Sequence, residues 1–264
     1  MKPLGIIASL GLFTTLPVPP TPKIDRPIAG RAIAWFPFTG AVIGLCGGFL
    51  AAGPFALGMP LLGSVLGAAT VAWVTGGLHL DGVADTADGL GSRKSPEEGL
   101  RIMKQSDIGP MGVASMLFVV LLGVASLTSI AAALPWWTAA LTFVAAGAVS
   151  RVPVLFATTP GQPNARPGGF GALFHGVTSP VTSAAATGIV TLLVGALGFA
   201  ASSLLGLLGA LAATGMALFA GWAWQRRLQR HFGGMTGDLF GSIIEVTATA
   251  FLVAAALGTR LISG

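Results

Sequence analysis

Three aspartates, Asp81, Asp85 and Asp88, stand four and three residues apart in the run Gly76-Gly77-Leu78-His79-Leu80-Asp81-Gly82-Val83-Ala84-Asp85-Thr86-Ala87-Asp88-Gly89. On a helix those spacings fall within a sector of about 60°, so the carboxylates line one face and repel one another. Such a face is costly unless water or a cation neutralises it. Hard oxygen donors beside an apolar bundle suit Mg²⁺, which usually takes one or two carboxylates and completes its shell with substrate phosphates. The bland alternative is a solvated helix end, but such ends mix lysine and glutamate, whereas here acids alternate with glycine and alanine. His79, two residues before the first aspartate, is a candidate substrate contact.

Two further groups carry polar chemistry. Arg101-Ile102-Met103-Lys104-Gln105-Ser106-Asp107-Ile108-Gly109-Pro110-Met111-Gly112 joins cations, a hydroxyl and flexible backbone. Arg101, Lys104 and Ser106 in that arrangement suit a phosphate better than a hydrocarbon, although the two cations could simply be loop charges that orient the chain. The third group is Gly233-Gly234-Met235-Thr236-Gly237-Asp238, followed seven residues later by Glu245 on the same helical face. Thr236 or Asp238 could cap a helix or meet substrate. Glu245 and Arg151 both lie inside apolar runs, where an ionised side chain is expensive and usually functional. Arg166 is a further candidate for phosphate charge. The glycine-rich stretches are not a P-loop, because no Gly-Lys-Ser/Thr follows a strand.

These residues must be held by elements made for lipid. Of 264 residues, 53% are hydrophobic and only 9% charged, where a soluble domain would have about a quarter charged. The mean hydropathy of +0.83 cannot be hidden in one soluble core. The expected fold is therefore all-α, a polytopic transmembrane bundle occupying residues 1–264 as one integral membrane domain. Seven apolar runs are long enough to span: Ala34 to Phe55, Leu61 to His79, Met111 to Leu134, Trp136 to Ala157, Val181 to Ala200, Ser202 to Trp224 and Leu239 to Gly258. The opening apolar run to Leu16 imitates a signal peptide but lacks a small-residue cleavage site, and at 14 residues it reads as a short interfacial or re-entrant helix.

Loop charge orients the bundle. Lys2, Lys23, Arg26 and Arg31, then Arg93 to Lys104, then Arg166, then Arg226 to Arg230 fall in alternate connections, and the intervening short loops are uncharged. By the positive-inside rule the amino terminus and the charged loops face the cytoplasm of a cell (inner) membrane. All nine acids fall in or near those same segments. The net charge of +5 is spread over separate loops, which excludes a nucleic-acid surface. The single cysteine, Cys46, excludes a disulfide framework and a cysteine zinc site. Gly40, Gly44 and Gly48 repeat the small-xxx-small spacing of close helix packing, and glycine-rich faces of this kind offer a route to a homo-oligomer.

Taken together, the chain resembles the cobalamin synthase family, adenosylcobinamide-GDP ribazoletransferase. The likeness runs through Leu16-Pro17-Val18-Pro19, Phe36-Pro37 with Gly40 and Gly44, the aspartate run, Met103-Lys104-Gln105-Ser106 with Gly109 and Gly112, Ala165-Arg166-Pro167-Gly168-Gly169-Phe170-Gly171, and Gly-Gly-Met-Thr-Gly-Asp with Glu245. The family more often has an acid at the position of Gln105 and a basic or polar residue at that of Asp107, so no role is carried over to either. The resemblance implies a Mg²⁺-dependent transfer joining adenosylcobinamide-GDP to α-ribazole or its 5′-phosphate, with GMP released. It implies that Asp81, Asp85 and Asp88 hold the metal, that Asp238 and Glu245 are candidates for the proton acceptor, and that membrane lipid surrounds the enzyme. The alternative is a different membrane transferase acting on a diphosphate, of the prenyl- or phosphatidyltransferase type, which also sets aspartates at helix ends, but neither family's aspartate motif is complete here. A transporter would want paired broken helices in related halves, and no internal repeat is evident.

Overall fold

The computed structural model describes residues 4–21, 23–166 and 168–263; Lys2 and Pro167 lie outside them. Among the described residues there are helices and no strand. In chain order they are α1 (Leu4–Phe13), α2 (Arg26–Ala34), α3 (Phe36–Ala56), α4 (Pro60–Val74), α5 (Leu78–Gly91), α6 (Pro96–Ile102), α7 (Pro110–Ala133), α8 (Trp136–Ala157), α9 (Phe170–Leu173), α10 (Pro180–Phe232) and α11 (Gly237–Ser263).

The helix starts follow capping chemistry. Asp25, Ser95 and Ser179 each accept the backbone N–H three residues on, from Ile28, Glu98 and Thr182, and each is followed by a residue pair that brings proline into the first turn. Thr236 accepts the Leu239 N–H at 3.4 Å and so caps α11.

Five helices, α3, α7, α8, α10 and α11, are long and apolar enough to cross a membrane, and α4 with α5 would make a sixth, broken span. Burial runs opposite to that of a soluble protein. The most apolar span window, in α7 with hydropathy 2.3, is 17% buried, whereas the α8 window, with hydropathy 1.7, is 72% buried. Apolar surface left open on the outermost helices needs lipid as its solvent. The chain is a multi-pass membrane protein.

The 53-residue α10 would be about 80 Å long if straight, far more than the about 30 Å of a bilayer core. It folds back instead. Ser202 and Ser203 leave helical geometry, Ser203 with a left-handed φ of 52°, and a Cβ added at Gly198 would stand 2.3 Å from the Gly206 carbonyl oxygen. Residues eight apart on one straight helix could not touch, so 180–201 and 204–232 are two antiparallel limbs. With that reversal the seven runs read from the sequence are present, except that the second is broken. Leu61 to His79 does not continue as one span: α4 stops at Val74, Gly76 and Gly77 take left-handed φ values of 60° and 74°, and α5 leaves at 86°. His79 therefore belongs to α5.

At the centre, α8 is enclosed by α3, α10 and α11. A Cβ at Gly40, Gly44 or Gly48 would come within 2.0, 2.1 and 2.3 Å of the carbonyl oxygens of Gly147, Phe143 and Ala140. The backbones of α3 and α8 touch there. That glycine stripe is packed inside the chain, the close helix contact that its spacing predicts.

Candidate active site

The acidic end is assembled where α5 crosses the start of α11. A Cβ on Gly82 would lie 2.5 Å from the Asp238 carbonyl oxygen and 3.1 Å from the Gly241 Cα, so the two helices meet backbone to backbone. This crossing brings the carboxylate-bearing face of α5 beside Asp238. Asp81 is exposed and Asp85 half-buried. Asp85 feels Asp81, Asp238 and Asp88 as like charges, with Arg166 as the opposing one, and Asp238 feels Arg166 and Lys104 against Asp81. Carboxylates crowded in this way favour a cation among them.

Asp88 has a different environment. Its Oδ2 accepts the Gly109 N–H at 2.6 Å and its Oδ1 accepts the Gly112 N–H at 2.8 Å, so it caps α7 from another helix. A Cβ on either glycine would run into that carboxylate. The expected row of three equivalent ligands is thus split into Asp81 and Asp85 at the mouth and Asp88 on the amides of α7. Among the described residues no three His, Cys, Asp or Glu side chains form a metal cage by themselves.

The cations lie across from the acids. Arg101, Lys104 and Arg166 line an open groove of 540 Å³ together with Gly168 and Gly169. Arg166 donates to the Leu100 carbonyl, which ties its loop to α6. Arg101 is held by Glu98 through two hydrogen bonds, 2.9 Å from Nε and 2.7 Å from Nη2. That contact keeps the Glu98 carboxyl below its ordinary value and the Arg101 guanidinium above its own. Ser106 is exposed in the connection between α6 and α7, apart from the residues lining this groove.

Deeper in the bundle, His79, Arg151 and Glu245 meet from α5, α8 and α11. Arg151 Nη2 stands 3.3 Å from His79 Nδ1, and Glu245 Oε1 is 4.0 Å from the same nitrogen. Arg151 also donates through Nη1 to the Gly147 carbonyl and Ser150 Oγ, and its Nε has no partner among the described residues. Glu245 does share the α11 face of Asp238, as its spacing requires, but it reaches this buried pair and not the acidic mouth.

Between the two levels lies a cavity of 320 Å³. Phe13, Phe36, Phe174, Val154, Phe240 and Ile244 supply apolar wall, His79 joins them, and Asn164, Arg166, Thr236 and Asp238 are its polar lining. Thr236, buried, makes a long 3.5 Å contact to Asp238 Oδ2 in addition to its cap. Sequence reasoning passed over Asn164, Phe174 and the α1 residue Phe13. The signal for Phe13 was the apolar amino-terminal run itself, too short to span and therefore free to pack against a site.

Comparison with known proteins gives one consistent result. Residues 5–256 match the family described as cobalamin-5-phosphate synthase. A protein of Frankia casuarinae named adenosylcobinamide-GDP ribazoletransferase is 37% identical over 258 residues, covering 93% of this chain and 92% of that one. Proteins of the same name from Azorhizobium caulinodans and Corynebacterium diphtheriae are 34% and 30% identical, covering 96% and 98% of this chain and 95% and 93% of theirs. No solved structure matches.

Proposed function

The chain belongs to the cobalamin-5-phosphate synthase family, transferases of cobalamin biosynthesis, and we propose that it joins adenosylcobinamide-GDP to α-ribazole, or to the 5′-phosphate of α-ribazole, in a Mg²⁺-dependent step. The observation that carries this reading is the crossing of α5 on α11, which sets Asp81 and Asp85 beside Asp238 with Arg166 opposite. A diphosphate substrate brings negative charge to a centre that already holds carboxylates. Arg101, Lys104 and Arg166 would take part of that charge. The donor set fits a hard divalent cation completed by the substrate: Asp81 and Asp85 would hold it, and when bound it would supply charge neutralisation at the diphosphate.

The chain's own groups then have distinct tasks. A ribose hydroxyl of α-ribazole forms the new P–O bond at the phosphorus nearest cobinamide, the bridging P–O bond to GMP breaks, and the hydroxyl proton goes to a carboxylate. Asp238 is the better candidate for that proton because it lies among the site charges. Glu245 is turned toward Arg151 and His79 and acts by holding that pair. Asp88 fixes the start of α7 against α5. Catalysis is mostly positioning and charge compensation. The charged loops and the site would face the cytoplasm of the inner membrane, by the loop-charge rule.

The test is direct. Purified protein in detergent, given adenosylcobinamide-GDP, α-ribazole and Mg²⁺, should release GMP with formation of the corrinoid product; chelator should stop it and added Mg²⁺ restore it. Release of GMP without α-ribazole would make the protein a hydrolase and defeat the reading.

A further inference from the structure

The second limb of α10 is longer than a bilayer core requires. Rising about 1.5 Å per residue from the reversal at Ser203, it covers about 30 Å by Trp224. Trp222 and Trp224 therefore stand at the level of the lipid headgroups, and the last two turns project beyond it. Those turns carry Arg226, Arg227 and Arg230, all exposed and within a sector of about 100°, while Gln225, Leu228, Gln229 and Phe232 on the other side are buried against the protein. No acid occurs anywhere in α10. Among the described residues none of the three arginines forms an ion pair or a hydrogen bond. The arginines near the site differ: Arg101 is held by Glu98, Arg151 faces Glu245, and Arg166 is tied to Leu100.

Orienting the chain needs only charge, and these side chains have more than that. The Arg226 guanidinium lies over the Trp222 ring and that of Arg227 over the Trp224 ring, each 5.9 Å from the centroid. Trp224 is itself fixed, its Nε1 donating to Ser242 Oγ at 3.1 Å. Stacking holds a guanidinium by its face and leaves the in-plane N–H donors free to grip a phosphate with two bonds. Toward the membrane the row continues: the Phe219 ring is 5.7 Å from that of Trp222, and the two residues are 66% and 50% exposed. Phe219, Trp222, Arg226 and Arg230 thus join an aromatic face in the lipid to cationic donors at its surface. A ligand that matches both ends is anionic at its head and hydrocarbon below. A free phosphate would leave the aromatic half unused, and a zwitterionic lipid would bring its own cation against the arginines. We infer that this outer face of α10 binds an anionic phospholipid, with its phosphate held by Arg226, Arg227 and Arg230 and an acyl chain lying along Trp222 and Phe219. None of these residues lines the 320 Å³ cavity or the 540 Å³ groove, and the inference holds whatever reaction the protein catalyses.

The test uses the full-length protein in neutral detergent and phosphatidylglycerol with brominated acyl chains, which quench tryptophan fluorescence on contact. Quenching should saturate at a concentration at least about tenfold lower than with brominated phosphatidylcholine, the scale of two or three interfacial arginines acting together. Unlabelled phosphatidylglycerol should reverse it, and glycerol phosphate at the same concentration should not. Trp222→Phe should remove the saturable component. Arg226→Gln, Arg227→Gln and Arg230→Gln combined should abolish the preference between the two lipids. The corresponding triple lysine variant keeps the charge but not the stacked fork, and should bind phosphatidylglycerol at least about threefold more weakly. Equal quenching of wild type by the two lipids overturns the inference, whether or not the variants fold. A preference that survives the glutamine substitutions, or a saturable component that survives Trp222→Phe, overturns it as well. Displacement by glycerol phosphate would make this a site for a free phosphate, and wild-type affinity in the lysine variant would reduce it to diffuse attraction; either result overturns the lipid site.

Discussion

Asp81, Asp85 and Asp88 look alike in sequence and should behave differently as variants. Asp81→Ala and Asp85→Ala should leave the melting temperature in detergent unchanged or higher, because each relieves like-charge crowding, while turnover falls at least about a hundredfold, the scale of losing one preorganised charge interaction. Asp88→Ala should instead strip two amides of α7 of their acceptor and lower stability by about 1–2 kcal/mol, as loss of a helix cap does. A thermal melt run beside the GMP assay separates the two classes; a stable Asp88→Ala would return that residue to the mouth. The same pairing of measurements decides Glu245. Its carboxylate is the acid facing Arg151, so Glu245→Gln should strand a buried cation and cost several kcal/mol, with recovery when Arg151→Gln is added. Unchanged melting with lost turnover would restore Glu245 to the reaction chemistry. At this scale the sequence was legible where spacing along one helix sufficed: the shared face of Asp81 and Asp85, and of Asp238 and Glu245, followed from periodicity. The meeting of Asp88 with Gly109 and of His79 with Arg151 was not, because those partners lie 21 and 72 residues away and no local rule joins them.

Helices can approach this closely only where side chains are missing. Gly82→Ala should push α5 off α11 and reduce turnover, since the new methyl would sit 2.5 Å from a backbone oxygen that cannot swing aside. Gly44→Ala should destabilise the α3–α8 contact for the same reason. Gly188→Ala, in α10 with nothing within 4 Å of the added carbon, should stabilise by about 0.5–1 kcal/mol; melting of the three variants checks the contrast. Apolar length identified the elements well, including the reversal near Ala201. It failed at Gly76-Gly77, because hydropathy carries no information about backbone angle. A glycine pair placed before an acidic helix was the available sign of a left-handed turn. The short helices α2 and α6 went unread for a related cause: each is defined by a capping residue, Asp25 or Ser95, and not by an apolar stripe.

For the whole molecule, charged connections alternating with uncharged ones put Arg93 and Leu134 on opposite sides of the membrane. With Cys46 replaced, Leu134→Cys should react with an impermeant thiol reagent applied from outside, and Arg93→Cys should not; the reverse pattern would invert the bundle. The lipid-facing surfaces of α7 and α10 follow from composition alone, while the order in which helices gather around α8 does not, since every run is apolar and any could be central. That central place has a consequence for synthesis. The glycine-lined groove of α3 enters the membrane well before its partner exists, and at about 5–20 residues per second several seconds pass until α8 leaves the ribosome. During that interval α3 has no companion of its own chain that fits it so closely, and its glycine face lies open to lipid and to other membrane proteins. A nascent chain halted at Pro135 should be cleared by quality-control proteases, and one halted beyond Thr158, with α8 in place, should survive them.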